Sequence, residues 1–180
     1  WLDLRKASND YADRDPTVLV IGGGQSGLCI AARLKQLNVD TLIVDRMQRI
    51  GDNWRKRYHA LTLHNQVQVN HLPYMLFPPN WPTYIPKDKL ANWFESYVDG
   101  MELNFWTETE FESGAYDEKQ GRWTVTLRRK GEERVLRPRM STIEGVAEVQ
   151  VLGAAEYSMR VWIDPIKLAS RKMTDRKSVV

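Results

Sequence analysis

The 180 residues suit one domain or little more, and 42% hydrophobic with 27% charged residues is a globular composition, not a disordered one. A net charge of +3, spread along the chain, argues against a nucleic-acid partner, and no apolar run approaches the ~18 residues of a membrane span. The single cysteine, Cys29, excludes an internal disulfide and a multi-cysteine metal site, and fits a reducing, cytoplasmic setting.

Residues 1–16 are polar and charged and read as a surface lead-in, partly helical at best. The first residue is Trp1 rather than Met, which predicts a fragment at that end, and nothing there reads as a signal peptide. The organising stretch comes next. Val18, Leu19, Val20 and Ile21 form an unbroken apolar run, the pattern of a strand buried on both faces of a parallel sheet. Gly22, Gly24 and Gly27 follow with the spacing G-x-G-x-x-G. The first glycine permits a tight turn, the second lets a pyrophosphate approach the backbone, and the third lets a helix pack closely on the strand. That helix presents its N-terminal N–H groups and the positive end of its dipole to the phosphates.

Leu28, Ala31, Ala32, Leu34 and Leu37 predict the helix face turned to the sheet, and Asn38 a stop. Cys29 on this helix reads as a small buried apolar residue. Thr41–Val44 is a second strand, and Asp45 ends it about 18 residues after Gly27. An acid at that place can accept both hydroxyls of an adenosine ribose. The plainer alternative is that Asp45 caps a loop. A carboxylate there repels a 2′-phosphate, so FAD or NAD fits better than NADP. Arg46 is the one neighbour that could accommodate a phosphate.

Four further stretches carry a resemblance: DRMQRIGDNW (45–54), RYHALTLHNQ (57–66), HLPYMLFPPNWPTYIPK (71–87) and LANWFESYVDGMELNFW (90–106). Together, residues 12–139 resemble the N-terminal part of bacterial flavin-containing monooxygenases, the class that includes Baeyer–Villiger and plant YUCCA-type enzymes. The resemblance implies an α/β fold with a Rossmann-like FAD-binding β-α-β unit and an appended antiparallel β-element, an incomplete domain in this chain. It implies FAD as cofactor, NADPH bound by a second nucleotide fold further along, and a small-molecule substrate. It assigns Gly22, Gly24 and Gly27 to the pyrophosphate loop, with Gln25 and Ser26 as backbone contacts. It assigns Asp45 to the ribose, with Arg46 beside it, and Asn53 and Trp54 to the segment reaching the flavin. His64 and Asn65 fall where related enzymes place a polar group near the isoalloxazine. Asn65 departs from the Asp often found there. Trp81, Trp93 and Trp106 read as core or groove aromatics, and His59 and His71 as ordinary polar residues. No metal site and no nucleophile is expected.

Pro86 starts a further helix, whose Leu90, Trp93, Phe94 and Tyr97 share one face. Residues 105–137 change period. Trp123, Val125 and Leu127 alternate with polar neighbours, which predicts antiparallel strands. A final strand with A-T-G, implied by the resemblance, does not follow, nor does a second G-x-G-x-x-G.

Residues 140–174 instead resemble the periplasmic porter segment of resistance-nodulation-division efflux transporters. The matches are Gly145, Val146, Val149, Gly153, Met159, Arg160, Val161, Trp162, Asp164, Pro165, Lys167 and Leu168. Val149–Leu152 and Tyr157–Ile163 are predicted as two strands around a glycine turn, pairing with each other and making few buried contacts with 17–137. The last residues, 175–180, look like a translated sequencing adapter, and disorder is expected there. The expected organisation is therefore a lead-in (1–16), a partial FAD-binding domain (17–139), a transporter-like fragment (140–174) and a tail, joined in a chimeric reading frame. The alternatives are a transporter fragment or a nucleotide-binding module without catalysis.

Overall fold

The computed structural model describes residues 1–139 and the strand backbones of 146–150 and 160–163. Its centre is a parallel sheet of β1 (Val18–Ile21), β2 (Thr41–Val44) and β5 (Asn104–Trp106), in the order β1-β2-β5. Val20 lies beside Ile43 and Ile43 beside Phe105, so the apolar runs stack in register. Alternate residues then serve opposite faces. Val18, Val20, Ile43 and Phe105 join Leu28, Ala31, Leu90 and Phe94 in one core. These last four come from helices α2 (Gln25–Gln36) and α4 (Lys87–Gly100). Leu19, Leu42, Val44 and Trp106 face the other way and join Val125, Leu127 and Leu136.

That second layer is an antiparallel meander: β6 (Thr109–Asp117), β7 (Arg122–Arg129) and β8 (Glu132–Leu136). The alternation in β7 puts Val125 and Leu127 inside and leaves Thr124 and Arg128 out. The apolar run of β1 is therefore buried on both faces, by helices on one side and the meander on the other. Each such buried aliphatic contributes roughly 1.5–3 kcal/mol.

Several sequence expectations are corrected. The lead-in is partly helical, as expected, through α1 (Leu2–Asp10), but it is not all surface, because Tyr11 after it is buried against Trp106. Phe105 and Trp106 belong to the parallel sheet, not to the antiparallel strands predicted from 105 onward. Leu37 is 62% exposed, because the helix ends at Gln36 and Asn38 turns the chain with φ of 57°. A two-stranded sheet not foreseen, β3 (Thr62–Gln66) with β4 (Tyr84–Pro86), lies between the second strand and α4. The short helix α3 (Asp52–Arg55) also escaped the sequence.

Pro86 precedes α4 as expected, and Leu90, Phe94 and Tyr97 are fully buried while Trp93 is half-buried. Trp81 stacks on Phe77 at 4.8 Å and meets Trp93 of α4 edge-on, an aromatic cluster packed against the core. His71 accepts a hydrogen bond at Nδ1 from the Phe77 amide, a structural role. In the transporter-like part, β9 (Val146–Gln150) and β10 (Arg160–Ile163) pair antiparallel, with Val149 opposite Val161. This agrees with the expectation that these strands pair with each other. The expected scarcity of buried contacts between this part and 17–137, and the disorder of 175–180, concern side chains and residues outside those described.

Candidate nucleotide-binding site

The site forms where β1 ends. Gly22 has φ of 100°, which L side chains rarely adopt, and this turns the chain out of the strand toward α2. The N–H of Gly22 still donates to Val44 O at 2.8 Å, keeping the loop against β2. A Cβ at Gly27 would lie 2.0 Å from Gly22 O, so only glycine lets the first turn of α2 sit on the loop. Nothing lies within 4 Å of a Cβ built at Gly22, and the nearest atom at Gly24 is Asn53 Nδ2 at 3.4 Å. Gly24 is the N-cap of α2 and supplies no capping side chain. The open N–H groups of that first turn, at Gln25 and Ser26, therefore suit an anion.

Asp45 follows β2 directly. Its backbone is held between strands: its N–H donates to Trp106 O and its carbonyl accepts from Thr109 N. Its side chain turns to the loop. Oδ2 accepts from Gly23 N at 2.6 Å, and Oδ1 accepts from Met47 N at 2.8 Å. A carboxylate has about four lone-pair sites, so about two remain for hydroxyl donors. Parallel strands, glycine turn, uncapped helix start and an acid against the loop are together an arrangement that could hold a nucleotide with free ribose hydroxyls.

Sequence reasoning missed Gly23. A Cβ there would lie 2.2 Å from the Phe105 ring, and its N–H is the donor that engages Asp45. The run of three glycines was the available signal, since the middle one has no role in the spacing pattern. Of the other expected residues, Asn53 lies beside Gly24, and Trp54 packs partly buried against the helical core. The Trp54 indole N–H is buried without an acceptor among the described residues. Arg46 is exposed. His64 and Asn65 are exposed on β3, in the separate two-stranded sheet, with the Asn65 carbonyl accepting from Asn70. Among the described residues no cluster of His, Cys, Asp or Glu could hold a metal.

Residues 20–85 match the NAD(P)-binding Rossmann-like domain. That stretch is similar to this domain family. The probable indole-3-pyruvate monooxygenase YUCCA9 of Arabidopsis thaliana is 34% identical over 116 residues, which cover 64% of this chain and 28% of that protein. YUCCA8 of the same plant is 31% identical over 144 residues, 79% of this chain and 33% of the relative. A flavin-containing monooxygenase structure from Stenotrophomonas maltophilia superposes with a TM-score of 0.62 at 22% identity, covering 70% of this chain and 37% of that one. The N-terminal part of the chain is thus similar in sequence to flavin-dependent monooxygenases and shares the fold of one. The chain spans about a third or less of the length of these curated relatives. Residues 111–179 match the AcrB/AcrD/AcrF family. The described part of that match includes Val125, Leu127 and Leu136, which are buried against the parallel sheet. No helix among the described residues is long and apolar enough to cross a membrane.

Proposed function

We propose that the N-terminal part of this chain binds FAD and is a fragment of an NADPH- and O2-dependent monooxygenase acting on a small molecule. The observation that carries this is the Asp45 carboxylate against the glycine loop, Oδ2 at 2.6 Å from Gly23 N, at the C-terminal end of parallel strands. Ligands of open α/β sheets bind outside those strand ends. Gly22, Gly24 and Gly27 shape the cradle, and the amides of Gln25 and Ser26 hold the pyrophosphate. Asp45 accepts the ribose hydroxyls, and it disfavours a 2′-phosphate by charge. Arg46 flanks the adenosine, Asn53 and Trp54 approach the flavin side, and His64 and Asn65 offer polar groups toward the ring system. Bound FAD supplies the redox chemistry, with NADPH as reductant and O2 as oxidant. The protein holds it, orients it and shields it from water.

The domain division rests on two matches of different origin. We divide the chain into a partial FAD-binding domain over 17–139, a transporter-like fragment over 140–174 and a terminal tail, although the transporter-family match itself begins at residue 111, within the meander. Support for placing the junction near Arg139 comes from the meander, which shares its core with β1 and β2. A cytoplasmic setting suits a chain with one thiol and this cofactor. Since no second G-x-G-x-x-G follows residue 27, the chain by itself is expected to hold flavin without oxygenating a substrate.

Titration of FAD, followed by flavin fluorescence, tests the reading. Wild-type protein should bind. Asp45→Ala removes hydrogen bonds to a charged acceptor and should weaken binding by roughly 10- to 100-fold. A wild-type protein that leaves the flavin spectrum unchanged refutes the assignment, and equal affinities remove Asp45 from the site.

A further inference from the structure

We propose that Lys87 is a positioning residue that fixes α3, and with it Asn53, beside the glycine loop; this rests on the FAD-binding reading above. Lys87 is the first residue of α4 and is only 6% exposed. A cation at that end of a helix opposes the helix dipole, and burying it removes hydration. Neither cost is offset within α4 except by Asp88, whose Oδ1 accepts from Nζ at 2.8 Å. The second bond explains the placement. Nζ donates to Arg55 O at 2.8 Å, the last carbonyl of α3, where a helix end leaves acceptors open. The Lys87 amide donates to Leu61 O, so one residue ties the end of α3 and the approach to β3 to the start of α4.

A four-residue helix has too few hydrogen bonds to stand alone. α3 is held from both ends. At its start, Gly51 has φ of 86°, and a Cβ there would lie 2.4 Å from Ala91 O, so the two backbones touch. Along its side, Arg55 donates to Ile50 O and Asn92 Oδ1 and pairs with Asp52 and Glu95. At its end stands Lys87. The helix so fixed carries Asn53, whose Nδ2 lies beside Gly24, and Trp54, packed into the helical core.

Lys87→Met and Lys87→Gln, compared with wild type, test this by amide hydrogen exchange of the ligand-free protein and by FAD titration. Exchange should rise across 52–57 while β1 and the middle of α4 keep their protection, and FAD affinity should fall roughly tenfold, the loss of one charge-assisted bond. Unchanged protection at 52–57 overturns the proposal. So does loss of protection spread equally over β1 and α4, which marks a purely structural lysine. A local rise in exchange with wild-type FAD affinity also overturns it. If wild-type protein fails to bind FAD, the cofactor reading falls, and the exchange pattern alone decides whether Lys87 holds α3.

Discussion

Replacing Gly27 by Ala tests the closest approach in the glycine loop. In an exposed helix Gly→Ala stabilises by about 1 kcal/mol. Here the new methyl would start 2.0 Å from Gly22 O, with Gly22 C and Val20 Cγ1 also near, at 3.2 and 3.3 Å. A carbon rarely approaches a carbonyl oxygen closer than roughly 3.3 Å, so the start of α2 must retreat by about 1.3 Å. The obstacle is backbone, and the core beneath it is close-packed, with Leu28 and Ala32 fully buried. Overpacking costs roughly 1–3 kcal/mol or more, and the backbone contact places this case at the upper end. Against the helix-propensity gain, a net loss of about 2 kcal/mol remains, or roughly 4–8 °C in Tm for a domain of this size. Thermal unfolding by circular dichroism measures it. Gly24→Ala is the control, because its Cβ meets only Asn53 Nδ2 at an ordinary 3.4 Å. It should melt near wild type and, on the proposed FAD site, weaken FAD binding, since the methyl would enter the space assigned to the ligand. A Gly27→Ala protein as stable as wild type would refute the steric reasoning.

Two further predictions concern groups away from the loop. Burial pushes the Cys29 thiol up from 9.0 to about 11, with Arg33 opposing weakly. The unfolded chain therefore releases a proton near pH 9 that the folded chain keeps, so this contribution to stability is complete below pH 9 and is lost as the pH rises toward 11. Iodoacetamide at pH 8 should label folded protein far more slowly than urea-unfolded protein, and Cys29→Ala should flatten the alkaline fall in stability; rapid labelling of folded protein would contradict this. Asn9 closes the edge of the sheet, since its Oδ1 accepts from Phe105 N at 2.8 Å and its Nδ2 donates to Phe105 O at 3.2 Å. Asn9→Ala should cost roughly 1–3 kcal/mol and, by exposing β5, favour self-association seen by light scattering; a monodisperse variant of wild-type stability would show that α1 does not guard that edge.

Much of the candidate site was legible because it is local. The apolar run Val18–Ile21, the glycine spacing, the helix face of α2 and Asp45 at a strand end all lie within one β-α-β unit, where neighbours in sequence are neighbours in space. Each residue type there answers a constraint of its own backbone, as Gly22 does with φ of 100°. The meander was legible for the same reason, through the period-two pattern of β7. Tertiary structure decided the rest. Three residues, Asn104–Trp106, are too few to show a period, so only pairing with β2 reveals them as a parallel strand. The need for glycine at position 23 comes from Phe105, and the reason for a buried lysine at 87 comes from the carbonyl of Arg55. α1 is polar enough to read as a loose lead-in, and it is the backbone of β5 that its Asn9 satisfies. Those partners stand tens of residues apart, and no local propensity encodes a contact whose other half is supplied by the folded chain.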